Sequence, residues 1–403
     1  MDTLEYWEER LAVLPTTIDC SEMHILGEDR QAPVFAGPGH IDIKSENDID
    51  FTMYGTSTDG SDAIQRLCRA YENPYQVADQ FVLEATDYRG TQWNCGWTHP
   101  EYKDSTGSSY LLMGTVNSLV TLARGHAVSK TSSIELIFPP DLWMPMDKTM
   151  VSVSSIDGAE VAREYRPGQQ AVNVLDSEIK FFYRPPSNSL WLTAATSDTL
   201  VHPYAESWVC EPLRILLGQL VYPRLVARNF GDGTAHVWLR RSARLFSGLG
   251  IASLLSDDPD MRRCFWELYA RLLQLIAKPK IASSLASLEL HPITRFYEEL
   301  IRASEGSRWV LCMTLSSVVE GLVRLMPSCT ARAKIDNHLK MLVREKIITE
   351  ENQQSWTRVR HAVMHGRLTS PWGTEKEDEQ VNQLIDLVHR LTRELLQQGI
   401  QWE

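Results

Sequence analysis

Trp356-Thr357-Arg358-Val359-Arg360-His361-Ala362-Val363-Met364-His365-Gly366 ends a helix, and its reading decides the fold of the C-terminal region. Trp356, Val359 and Val363 recur at spacings of three and four, the pattern of a helix turning one stripe toward a core. Arg358, His361 and His365 fall together on the opposite face. Gly366 stands in the usual capping place beyond the last turn. A helix C-terminus is therefore crowded with two arginines and two histidines, and Arg367 follows. The helix dipole favours cations there, so a purely structural role accounts for part of the pattern.

Working outward, helical periodicity runs over 294–304, 307–325, 331–345 and 350–365, with Pro327 ending the second segment. Thr374 and Glu377 form a capping box for a further helix. Its apolar positions Val381, Leu384, Val388, Leu391 and Leu395 exceed what one small bundle needs, which points to a two-fold homodimer interface; closure of the monomer core is the alternative. Residues 281–403 thus read as an all-α bundle.

Residues 191–280 read as mixed and mainly helical. Leu213, Leu216, Leu217 and Leu220 share overlapping faces, a strand or turn region spans 229–241, and Asp258-Pro259 opens a helix carrying Phe265, Leu268, Leu272 and Leu275. Residues 1–190 are strand-rich. Val34-Phe35, Ile41-Asp42-Ile43, 49–54, Phe81-Val82-Leu83, Leu111-Leu112-Met113, 134–138 and 179–183 are short apolar or alternating runs bounded by turn residues. The expected class is α+β multidomain: a strand-rich sandwich or barrel-like N-terminal domain, a mixed middle region and a C-terminal helical bundle.

Hydrophobic residues make up 43% of the 403 positions and charged ones 23%, ordinary values for a globular chain. Met1 to Arg10 is acidic and aromatic, unlike a signal peptide, and no apolar run approaches the roughly 20 residues needed to span a bilayer. The seven cysteines include no Cys-x-x-Cys pair, so a reducing cytoplasm is the expected location and no membrane partner is expected. A net charge of -12 argues against a general nucleic-acid coat protein. Arg324 to Arg367 nevertheless holds nine Lys/Arg against four Asp/Glu, a local +5 that suits an RNA-sized anion or a solvated helical surface.

Arg360-His361-Ala362-Val363-Met364-His365-Gly366 resembles the HEPN superfamily motif at every marked position: Arg, then Asn, His or Asp, three residues, His, and usually Gly. The motif is short, but it lies late in a helical bundle with one long helix after it, as in that family. The strand-rich start and Leu-rich middle resemble Apea-like proteins of bacterial anti-phage defence, which end in such a domain. This resemblance implies an endoribonuclease with Arg360 and His365 as its catalytic pair, needing no metal or other cofactor. It also implies cellular RNA as substrate, transfer RNA included, a phage-derived trigger, and a homodimer whose two chains complete a shared site. A non-catalytic HEPN-like scaffold that dimerises or binds RNA or nucleotides is the alternative.

Helix geometry pulls against part of that assignment. Arg360 lies about 140° around the helix from His365, whereas Arg358 is in line with it. A site shared across a dimer removes the need for one face, which leaves Arg358, His361 and Arg367 as further phosphate contacts. The chemistry needs a base for the ribose 2′-OH, a cation for the phosphoryl charge and an acid for the leaving 5′-oxygen. Imidazole serves in either proton role near neutral pH, and Arg holds phosphate bidentately. Glu320, among apolar residues, is expected to pair with an arginine of the motif helix or to be solvated. His361 and His365 have metal-ligand spacing, but the Glu of His-Glu-x-x-His is absent. Cys95 and His99 lack a matching second pair and read as part of a strand and turn; Gly231-Asp232-Gly233 reads as a turn. No phosphate-binding glycine loop or Ser/His/Asp elbow is present.

Overall fold

The alternating runs of the first half form β-strands in the computed structural model of the chain. It describes residues 3–398 apart from positions 12, 28–29, 31, 58–59, 74–75, 77–78, 107–108, 126–127, 141, 147, 155–159, 185–188, 243–247, 256–262, 283–289, 330–333 and 367–374. Helix α1 (Thr3–Leu11) precedes β1 (Thr16–Leu26), β2 (Pro33–Ser45) and β3 (Asp48–Thr56). Helix α2 (Ser61–Glu72) leads to β4 (Phe81–Asp87), β5 (Gln92–Thr98), β6 (Glu101–Thr106), β7 (Ser109–Thr115), β8 (Ser118–Arg124) and β9 (Ser133–Ile137). Then follow β10 (Lys148–Ser154), β11 (Glu160–Pro167), β12 (Gln170–Val174), β13 (Ser177–Arg184) and β14 (Ser189–Ala195). Helix α3 (Ala205–Leu217) separates these from β15 (Leu225–Asn229) and β16 (Thr234–Arg240). The remaining helices are α4 (Phe265–Ala282), α5 (Pro292–Ser304), α6 (Arg308–Arg324), α7 (Ile335–Arg344), α8 (Glu350–Met364) and α9 (Glu375–Gln398).

Fourteen strands form one sheet in the order β12-β13-β14-β9-β15-β16-β8-β5-β4-β1-β2-β3-β7-β6, and β10 and β11 pair separately. Every pairing is antiparallel. The chain is α+β, with a sheet-rich N-terminal region and a helical C-terminal region. The sheet does not stop at 190: β14 crosses that position, and the 225–240 hairpin, read as part of the mixed middle region, lies near the sheet's centre. Leu225-Val226-Ala227 is apolar on successive positions because β15 is covered on both faces. Val226 packs into the core shared with the helices, whereas Leu225 and Ala227 face the other core.

Polar ties fix α1 to this sheet. The Glu135 carboxylate accepts from Leu4 N at 3.0 Å and Asn229 Nδ2 at 2.7 Å, and Thr3 Oγ1 donates to Asn229 Oδ1 at 2.6 Å. A carboxylate at a helix N-terminus also complements its dipole.

Helix α3 joins sheet to bundle. Gly218 closes it at φ +63°, a conformation that glycine adopts without steric cost. Its buried Glu206 pairs with Arg228 and Arg240 of the hairpin. Its Glu211 accepts from His291 N and Thr294 Oγ1 at the start of α5. Its Arg214 pairs with Glu298 at 2.9 Å, both side chains 3% exposed.

Val381, Leu384, Val388, Leu391 and Leu395 are buried within this chain, where α9 packs on α6, α8 and α4. The stripe therefore closes the monomer core and does not supply the dimer interface expected of it. His389 on the same helix stacks on Tyr297 with ring centroids 6.4 Å apart, and its Nε2 lies 3.4 Å from the Ala252 carbonyl. The capping box of Thr374 and Glu377 and the helix start at Asp258-Pro259 lie outside the described residues. Among the described residues, no helix is long and apolar enough to cross a membrane.

Candidate functional site

Helix α8 starts at a capping box: Thr349 Oγ1 accepts from Asn352 N at 3.1 Å and Asn352 Oδ1 accepts from Thr349 N at 3.0 Å. The Asn352 amide also donates to the Gln383 carbonyl and to Asp386 of α9, which locks the rotation of α8. With that rotation fixed, Trp356, Val359 and Val363 are buried, and the Trp356 indole donates to the Ser316 carbonyl of α6 at 3.4 Å. The opposite face carries Arg358, His361 and His365, all exposed.

The two imidazoles stand at the helix end, ring centroids 4.3 Å apart with planes tilted by 60°. His365 is the C-cap residue; its backbone N donates to the His361 carbonyl, and Gly366 at φ +63° turns the chain away. Both side chains are exposed, and neither ring hydrogen-bonds to another described residue. Arg358 reaches Gln354 at 3.5 Å and is otherwise directed to solvent. Arg367 lies outside the described residues.

Arg360 sits elsewhere. Its Nε pairs with the Glu320 carboxylate of α6, and its guanidinium lies 5.4 Å over the Trp356 ring. Both partners keep some exposure, 43% and 31% of the side chain. Within one chain the structure thus brings His361 and His365 together and holds Arg360 on the α6 side, where Glu320 neutralises it. An exposed imidazole pair can pass protons in both directions, and a guanidinium can bind phosphate only after its carboxylate partner is displaced or outcompeted.

Among the described residues no group of three or more His, Cys, Asp or Glu is arranged to hold a metal ion. Cys95 is buried in the sheet core, where burial raises its thiol pKa, while His99 is exposed beyond the strand end; they do not form a ligand pair.

Three open clefts of about 520, 430 and 400 Å³ lie on the sheet, away from α8, and their lining residues formed no motif in the sequence. They are assembled from short runs of α1, β1, β4, β5, β8 and β16 and the 88–91 turn, which only the strand pairing brings together, so no local spacing could announce them. Comparison of the chain with family models, curated proteins and solved structures finds no match.

Proposed function

We propose that this chain is a HEPN-type endoribonuclease of the Apea-like, anti-phage kind, its α5–α9 bundle cutting cellular RNA at the C-terminal end of α8. The observation that carries this is the exposed pair His361 and His365, with ring centroids 4.3 Å apart and Arg358 on the same face, while Arg360 is turned toward Glu320 on the α6 side. One imidazole takes the proton of the ribose 2′-OH as O2′ bonds to phosphorus. The bond from phosphorus to O5′ breaks, and a second imidazole protonates that oxygen. The products are a 2′,3′-cyclic phosphate and a 5′-hydroxyl. Arginine stabilises the charge gathering on the phosphoryl oxygens. Because Arg360 points to Glu320 in its own chain, the complete site joins the histidines of one copy to an arginine of another, through the α8 end rather than the α9 stripe.

Trp356 to Arg367 contains no Asp or Glu, so the segment offers no carboxylate cluster for Mg²⁺. Digestion of a defined RNA in EDTA, with end-group labelling, tests the chemistry. The expected outcome is cleavage that leaves 5′-hydroxyl ends and spares a matched DNA. Activity lost in EDTA and restored by Mg²⁺, with 5′-phosphate ends, overturns it. The Arg360–Glu320 pair favours one competing reading, in which the motif arginine only staples α8 to α6 and the bundle is a non-catalytic scaffold. Absence of cleavage under all conditions supports that second reading.

A further inference from the structure

The sheet is not evenly joined along its length. Strand β8 pairs with β16 from Ser118 to Arg124, yet it meets β5 through the single residue pair Asn94 and Val120, with one isolated bridge from Thr98 to Val116 on the far side. On the near side β5 and β8 part, and a cleft of about 400 Å³ opens between them, floored by α1. A volume of that order suits a small molecule.

Arginines gather at this opening, while the adjoining cleft that shares Tyr6, Arg10 and Arg89 also carries Glu9, Asp19 and Asp87. The charged side chains lining the opening itself are Arg10, Arg89 and Arg124, with no carboxylate among the lining residues. A second neighbouring cleft shares Gln92, Thr121 and Leu122 but carries Glu22, Glu84, His24 and His236. Arg10 is held by Asp87 and by Thr91 Oγ1, and it lies over the Trp7 and Trp93 rings, a fixed cation at the base. Arg89 and Arg124 are exposed, and their guanidinium groups have no hydrogen bond or ion pair to another described residue. Two lining residues add a second observation. Trp7 and Thr121 are each 3% exposed, and their Nε1 and Oγ1 atoms are buried without a hydrogen-bond partner. Buried polar atoms are normally satisfied, so atoms like these in the wall of a cationic cleft mark where a ligand oxygen belongs.

We propose that the opening between β5 and β8 binds a small phosphate ester, of mononucleotide size. The phosphate is gripped by Arg89 and Arg124 over the fixed Arg10, Trp7 and Thr121 donate from the wall, and the half-buried Tyr6 ring rims the remainder. This site is independent of the α8 chemistry.

Calorimetric titration of the full chain with AMP, inorganic phosphate, citrate and a short RNA oligonucleotide is the test. AMP is expected to bind most tightly, inorganic phosphate more weakly, and both less well as ionic strength rises. The double variant R89A/R124A, altered only at exposed positions, is expected to weaken AMP by at least about tenfold with an unchanged melting temperature. Thr121→Val removes the hydroxyl at nearly constant shape and is expected to weaken AMP severalfold. No binding of AMP or phosphate at millimolar concentration, or equal binding by R89A/R124A, overturns the proposal. Citrate binding as tightly as AMP overturns the phosphate assignment, and an RNA oligonucleotide that displaces AMP at lower concentration overturns the small-molecule assignment.

Discussion

Single side chains carry the sharpest tests. His365→Ala removes an exposed imidazole, so circular dichroism and melting are expected to stay as they are while RNA cleavage falls about 10²–10⁴-fold. Glu320→Gln keeps shape but removes the charge that competes with phosphate for Arg360. It is expected to change stability by less than about 1 kcal/mol, because the pair is partly exposed, and to raise cleavage. A fall in cleavage as deep as that of Arg360→Ala would instead make the ion pair part of the site's architecture. His389 gives a pH signature. Burial pushes its folded-state pKa down to about 4, against about 6.5 in an unfolded chain. Below pH 6.5 the unfolded chain therefore binds the proton first. The His389 contribution is fully present above that pH and is lost as pH falls toward 4, by up to about 3 kcal/mol. Burial lowers His202, His236 and His338 in the same direction. Denaturant melts from pH 7 to 4 should show a shallower slope for His389→Gln than for the native chain; equal slopes would remove His389 from the account. The exposed histidines of α8 were legible from helical spacing, but His389 was not: no local pattern marks it, and only the fold closes Ala252 and Tyr297 around it.

At the scale of elements, helical periodicity in the C-terminal half located cores well because each helix buries one regular stripe. Trp356, Val359 and Val363 are inside, as are Leu384, Leu391 and Leu395 of α9. Periodicity also found α3 through Leu213, Leu216 and Leu217, but it missed the burial of that helix's charged residues. Glu206, Glu211 and Arg214 would ordinarily mark a wet face, yet all three are buried, each matched by a partner from a different element. Local sequence cannot show such matching, because the partners lie 22 to 84 positions away. The matching predicts a strong asymmetry on mutation. Arg214→Met alone removes the buried cation from the Glu298 carboxylate, leaving it to Tyr222 and the half-exposed Arg302, and is expected to cost about 3 kcal/mol, whereas Arg214→Met with Glu298→Leu should recover most of it. Guanidinium melts decide; a double variant no more stable than the single one would mean that Tyr222 and Arg302, which also bind Glu298, carry the joint. Helices α1 and α2 escaped sequence reading because each is short and set among strands.

For the whole molecule, the α+β class was legible but the strand order was not, since pairing between sequence-distant strands leaves no periodic trace. The same blindness let the α9 stripe read as a free surface: an apolar stripe looks alike whether it meets its own chain or another. The proposed shared site keeps a direct test. His365→Ala and Arg360→Ala chains, each inactive alone, are expected to regain part of the cleavage when mixed, with sedimentation reporting a dimer. A strict monomer that still cuts RNA sinks the shared site. Finally, the position of the 225–240 hairpin between β9 and β8 sets a condition on biosynthesis. As the chain leaves the ribosome, its first 195 residues emerge with two inner edges bare and a two-strand gap between them. Bare edges recruit any strand within reach, so nascent or prematurely terminated chains that stop short of Arg240 are the species that quality control must catch.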